Sequence, residues 1–263
     1  MRIALGVEYD GTAYNGWQRQ RHGTGVQSVL EEALARVADA PVEAVCAGRT
    51  DTGVHAEGQV VHFDSDADRT PRSWVLGVNS NLPPDVNALW AQPVAGDFHA
   101  RYSALSRTYR YLILNRPVRS ALHRDRAWWL HRPLDEGRMR EAAAHLHGEH
   151  DFSAFRAAGC QAMTPHRNIF AITIVRQGEW LILTVRANAF LQHMVRNMVG
   201  VLVTIGAGDE EPEWARQVLE SRDRTRGGVA APATGLTLVG VEYPDTSGLP
   251  PRAASTLLPV PGA

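Results

Sequence analysis

The residues best suited to chemistry lie in Ala47-Gly48-Arg49-Thr50-Asp51-Thr52-Gly53-Val54-His55-Ala56. Its one carboxylate, Asp51, is framed by glycines, which let a backbone come close to a ligand. Arg49, two residues away, places a cation where it favours the ionised carboxylate. A charged carboxylate beside an arginine is a usable nucleophile. The plain structural alternative is an Asx-turn with Arg49 as the ion-pair partner of Asp51. Asp-Thr-Gly also occurs in aspartic proteases, but that chemistry needs two carboxylates sharing one proton. The chain holds a single Asp-Thr-Gly, preceded by the polar Arg49 and Thr50, which suits such a dyad poorly.

Two other segments mix the right residue types. Ser106-Arg107-Thr108-Tyr109-Arg110-Tyr111 reads as a strand with Tyr109 and Tyr111 on one face and Arg110 on the other. An aromatic ring near arginine suits a flipped base; the alternative is a half-buried strand with surface arginines. Asn188 to Asn197 opens a helix whose apolar stripe leaves Arg196 off to one side, either solvated or aimed at a phosphate or carboxylate. His145, His147 and His150, with Glu149 and Asp151, straddle a helix end and do not share a face, so no metal site is expected. There is no phosphate-binding GxxxxGK[ST] run and no dinucleotide fingerprint.

These segments need elements to hold them. Ile3–Tyr9 predicts a strand, Val26–Asp39 a helix broken by Pro41, and Val42–Ala47 a second strand. Gly48 to Gly58 reads as a loop, Gln59–Asp64 as a strand, Ser73–Asn79 as a short helix and Val86–Val94 as a strand. That order is the split βαβ pattern. Further on, Thr108–Asn115 predicts a strand and Leu134–His147 a helix capped by Asp135. Asn168–Val175 and Trp180–Ala187 form a hairpin about Gln177-Gly178. A helical stripe runs from Leu191 to Ile205, a shorter helix from Pro212 to Glu220, and a last strand over Leu236–Tyr243. The domains expected are 1–104, 105–245 and a loose tail over 246–263. Gly-Val-Glu-Tyr occurs at 6–9 and again at 240–243, which would fit two duplicated halves.

Composition sets outer bounds. The 263 residues are 44% hydrophobic and 21% charged, which favours packed cores over disorder. The N-terminal apolar run is too short for a signal peptide, and no stretch is long enough to cross a bilayer, so a soluble cytoplasmic protein is expected. Cys46 and Cys160 form no CxxC and are expected as small core residues rather than a disulfide. The net charge is −1, but it is unevenly spread: the first hundred residues hold 7 arginines against 13 acids, the remainder 20 against 15. Between Arg101 and Arg132 stand eight arginines and one acid, Asp125, an expected phosphate-facing strip. All 27 basic residues are arginine, whose planar fork suits phosphates and base edges.

Taken together, the motifs resemble the tRNA pseudouridine synthase A family over about Ile3 to Tyr243. They are Glu8-Tyr9-Asp10-Gly11 with Gly16-Trp17-Gln18-Arg19-Gln20, Gly48-Arg49-Thr50-Asp51 with Gly53-Val54-His55, Phe98-His99-Ala100-Arg101, Tyr109-Arg110-Tyr111, and His193-Met194-Val195-Arg196-Asn197. The resemblance implies an α+β fold of two RRM- or ferredoxin-like α/β domains, with largely antiparallel sheets around a central cleft. It implies a homodimer acting on the anticodon stem-loop of tRNA at positions 38, 39 and 40, with neither metal nor organic cofactor. It assigns Asp51 as the catalytic residue, Tyr109 as the active-site tyrosine, and Arg49 and Arg196 as active-site arginines. Thr52 and Ala56 depart from the Ala and Gly that many members carry. The rival from another class is a non-catalytic, RRM-like RNA-binding protein, which needs no carboxylate in a glycine-framed loop.

Overall fold

Alternating apolar residues in the first ninety-four positions build one sheet, as the computed structural model of residues 1–20 and 22–251 shows. Strands β1 (Arg2–Tyr9) and β3 (His55–Asp64) pair antiparallel, with Leu5 opposite Val61 and Ile3 opposite Phe63. Strand β4 (Val86–Val94) pairs antiparallel with the other edge of β1. The two-residue strand β2 (Val45–Cys46) lies against β3, and β10 (Leu236–Glu242) also neighbours β3. Two helices complete the unit. Helix α1 (Val26–Ala38) ends at Asp39, whose φ of 54° breaks the helical run before Pro41. Helix α2 (Pro71–Asn79) starts on Thr70, whose hydroxyl accepts the Ser73 amide, with Pro71 at the first position, where it lacks nothing by having no N–H.

Alternation decides what each face carries. Ile3, Leu5 and Phe63 meet the helices, with Trp74 of α2 edge-on to Phe63 at 5.0 Å between ring centroids. On the opposite face Ala4 packs with Phe98 and Ala100, joined by Trp90, Tyr243 and Leu249.

The second unit spans residues 106–237. Its sheet runs β5 (Ser106–Asn115), β9 (Trp180–Ala187), β8 (His166–Gln177), β7 (Gly148–Asp151), each pairing antiparallel with the next. A short strand, β6 (Trp128–Leu130), pairs parallel with β5. Gly178 closes the β8–β9 hairpin with a positive φ of 58°, as its position in the sequence requires. Helix α3 (Glu136–Ala144) is capped by Asp135, whose carboxylate accepts the amides of Gly137 and Arg138. Helix α4 (Met194–Gly206) and helix α5 (Trp214–Ser221) follow. Eleven residues of α4 are buried, so it is a core helix rather than the one-sided stripe that periodicity suggests.

The chain is thus a mixed α+β protein with largely antiparallel strands, as expected. The compact units differ from the expected domains in one respect. The last strand, placed with residues 105–245 by the sequence, clusters from Leu238 onward with the first unit. Both copies of Gly-Val-Glu-Tyr therefore fall in the same unit and do not mark equivalent places in two halves. Of the expected loose tail, 246–251 is described and 252–263 lies outside the described residues; Leu249 packs on the Phe98 cluster.

Candidate functional site

Asp51 stands at the first corner of a tight turn between β2 and β3. The Val54 amide donates to the Asp51 carbonyl at 3.1 Å, and Gly53 takes a φ of 78° at the third position. A positive φ there suits glycine and strains other L-residues. Asp51 is half-buried and Thr52 is exposed at the tip.

The turn is fixed mainly by backbone. Trp17 donates its amide to the Thr50 carbonyl at 3.0 Å, and Gly53 donates to the Tyr14 carbonyl at 3.4 Å. A Cβ on Gly16 would come within 2.7 Å of the Thr50 carbonyl oxygen, and one on Gly11 within 2.0 Å of the Val54 carbonyl oxygen. Both glycines therefore serve close backbone approach between the 10–25 loop and the Asp51 turn. Side chains close the remaining gaps. The buried Tyr9 hydroxyl lies 2.8 Å from the Thr50 hydroxyl, and burial pushes its acidity well away from the usual phenol range. Gln59, fully buried, clasps Gly48: its amide nitrogen donates to the Gly48 carbonyl at 2.6 Å. His55, also buried, places Nδ1 3.1 Å from both the Gly11 amide nitrogen and an Asp10 carboxylate oxygen.

Arg49 does not do what its spacing suggests. It is exposed, and among the described residues nothing hydrogen-bonds or ion-pairs with its guanidinium. The Arg49–Asp51 ion pair of the structural alternative, an Asx-turn, does not form among the described residues. The Arg49 charge is felt instead at the buried Cys46 thiol, which burial pushes up to about 12 against the opposing pull of Arg49 and Arg101. That thiol is neutral at physiological pH.

In the second unit, Tyr109 lies on β5 opposite Val185 and meets Phe190 edge-on, 5.1 Å between centroids. Tyr111, one pleat along, is buried and donates its hydroxyl to the Pro232 carbonyl at 2.8 Å. Arg196, on the first turns of α4, donates Nε to the Ala231 carbonyl at 2.8 Å, while the Ala231 amide donates back to the Arg196 carbonyl. Next to it, buried Asn197 donates to Phe155 and accepts from Arg224. Gly200 lets α4 lie against this segment: a Cβ there would sit 2.1 Å from the Val229 carbonyl oxygen. The helix itself starts at Met194 and not at Asn188, because His193 adopts a left-handed φ of 62°.

The arginine strip between 101 and 132 is not one surface. Arg107 and Arg110 are buried in β5, where every residue from Ser106 to Leu114 is buried, so the surface-arginine alternative for this strand fails. Arg116 pairs with Glu179, Arg124 with Asp125 and Arg132 with Asp209. Of the helix-end histidines, His147 and His150 each engage a backbone carbonyl. Among the described residues no group of three or more metal-ligating side chains comes together, and no helix is long and apolar enough to cross a membrane.

Sequence spacing missed the bracing set: Tyr9, Gly11, Gly16 and Gln59. The first three lie inside motifs quoted for the family resemblance, but nothing in their residue types says that they hold Asp51 from a distance of some forty positions. By spacing alone, Gln59 is no more than the first residue of a strand.

A sequence profile described as tRNA pseudouridine synthase matches residues 6–103 and 142–244. A curated tRNA pseudouridine synthase A of Alcanivorax borkumensis is 55% identical over 250 residues, covering 95% of this chain and 94% of the relative. Proteins of the same description from Methylococcus capsulatus and Pseudomonas aeruginosa are each 54% identical; the matches cover 98% and 95% of this chain and 96% and 88% of those relatives.

Proposed function

The chain belongs to the tRNA pseudouridine synthase family, an isomerase rather than a passive RNA-binding module, and from that premise we propose that Asp51 is its catalytic carboxylate and uridines 38, 39 and 40 of the anticodon stem-loop its targets. One observation carries the reading: a half-buried carboxylate on a turn held by backbone bonds and by the close approach of Gly11 and Gly16. A turn so fixed presents its side chain at one place without reorganising, which is what a nucleophile or base requires.

The reaction breaks the bond from uracil N1 to ribose C1′ and makes one from C5 to C1′. N1 gains a proton and C5 loses one, so neither redox chemistry nor outside energy is called for. The uridine is flipped from the RNA at a cost of a few kcal/mol, least for a nucleotide already unpaired. Asp51 then acts either as nucleophile or as base on the ribose. Tyr109 stacks on the uracil, a contact worth roughly 1–3 kcal/mol, and its hydroxyl is the candidate acceptor for the C5 proton. Arg196, tied to Ala231 through Nε, and the exposed Arg49 hold phosphate. The same reading makes the enzyme a cytoplasmic homodimer that works without metal or organic cofactor.

Asp51→Asn tests it. The variant is expected to fold and to bind tRNA but to release no tritium from tRNA carrying 5-tritiated uridine. Appreciable turnover by that variant would remove Asp51 from the mechanism. Mapping pseudouridines in tRNA from cells lacking the protein tests the target positions.

A further inference from the structure

The loop that follows β4 carries an exposed ring on a rigid mount. Tyr102 is 76% exposed, yet its ring lies only 4.3 Å from that of His99, tilted by 32°, and His99 in turn lies 4.7 Å from His62. The amides of Arg101 and Tyr102 both donate to His99 Nδ1 at 3.2 Å, and the Ala100 amide donates to His62 Nδ1 at 3.1 Å. Ser103 closes the turn, its amide on the His99 carbonyl and its hydroxyl accepting the His99 amide. The guanidinium of Arg101 sits 5.5 Å from the Tyr102 ring centroid.

A protein gains little stability from an aromatic ring that it leaves in water. Here two histidines and five backbone or hydroxyl hydrogen bonds hold one in place, with a cation at its side. That is the arrangement on which an unpaired base stacks, the arginine adding charge for the adjoining phosphate.

We propose that Tyr102, buttressed by His99 and flanked by Arg101, is a stacking platform for an unpaired nucleobase of the RNA other than the uridine being isomerised. The inference rests on the function proposed above and names a second nucleotide that the enzyme reads by shape. Stacking requires the ring and not the hydroxyl. Both histidines accept backbone N–H bonds at Nδ1, and burial lowers both imidazoles below the usual range, which favours neutral rings.

The test uses the full-length protein and a stem-loop RNA containing the target uridine. Tritium release by the unmodified enzyme is measured first, since its failure would refute the proposed function and not the platform. Tyr102→Ala is expected to weaken RNA binding roughly 5- to 100-fold with an unchanged melting temperature, and Tyr102→Phe to bind as the parent does. In a series of RNAs, each abasic at one unpaired position, one RNA should bind Tyr102→Ala and parent equally weakly, locating the stacked base. Three results overturn the idea: equal binding by Tyr102→Ala and the parent, equal loss in Tyr102→Phe, or a Tyr102→Ala penalty that persists with every abasic RNA. A change in sedimentation with Tyr102→Ala would also overturn it, by assigning the ring to contact with a second copy of this chain.

Discussion

The two units hold the residues proposed for the site by different means. The Asp51 turn is fixed by main-chain bonds and by glycines that admit another backbone within van der Waals range. Tyr109 and Arg196 instead ride on regular elements, the buried strand β5 and the buried helix α4, and are oriented by side-chain contacts to Phe190 and Ala231. In the proposed reaction a carboxylate that attacks or abstracts needs the tighter mount, whereas a ring that stacks is effective over a range of positions.

The largest effect should come from Asp51→Asn, with tritium release falling on the order of 10⁴-fold or more, the scale seen when a group central to the chemistry is removed. Comparable residual activity in this variant and in Tyr109→Ala would erase the contrast between the two mounts. Next comes Gly11→Ala. Its new methyl would meet the Val54 carbonyl oxygen, displacing the turn and costing about 1–3 kcal/mol by overpacking; denaturant melts and turnover should fall together. Gly96→Ala, where nothing lies within 4 Å of the added carbon, is the control expected to change neither.

Smaller effects sharpen the picture in each unit. Burial lowers the His62 imidazole to about 4, helped by the Arg2 charge. The folded form is the neutral ring, so between pH 6.5 and about 4 the unfolded chain binds the extra proton. Stability should therefore drop as pH falls through that window, by at most about 1.4 kcal/mol per pH unit from this group. Thermal melts at pH 7 and 5 should show the drop, and His62→Gln should reduce its slope. In the second unit, Tyr111→Phe deletes the bond to the Pro232 carbonyl and should cost about 1 kcal/mol, with turnover preserved. A loss of turnover larger than the loss of stability would move Tyr111 into the reaction.

Much of this was legible in the residues, and the misses have causes. The six elements β1–α1–β2–β3–α2–β4 follow from apolar spacing, and Thr70 and Asp135 cap where their types predict or allow. In the sequence the Asp51 loop extends to Gly58, because glycines look like loop. Gly58 is instead inside β3, where a Cβ would stand 2.7 Å from the Val239 carbonyl oxygen, so the strand needs glycine for close backbone approach. Strand β7, Gly148–Asp151, has no apolar period to betray it, and β6 is only three residues long. The alternative of surface arginines on this strand fails at Arg110, because burial of β5 from Ser106 to Leu114 is a tertiary fact that no local pattern carries. The same limit applies to Arg49: proximity in sequence allows the Asx-turn with an Arg49–Asp51 ion pair, and the turn's geometry does not make that pair.

Because main-chain atoms hold the Asp51 turn, the side chain at its tip is left without structural duty. Thr52 is exposed at the second corner, beside the carboxylate proposed as catalytic. A thiol introduced there in a background lacking Cys160 would be the one accessible attachment point, Cys46 being buried and protonated. A dye on that thiol would sit next to the proposed reaction centre and, if that proposal holds, signal RNA arriving before any bond is broken.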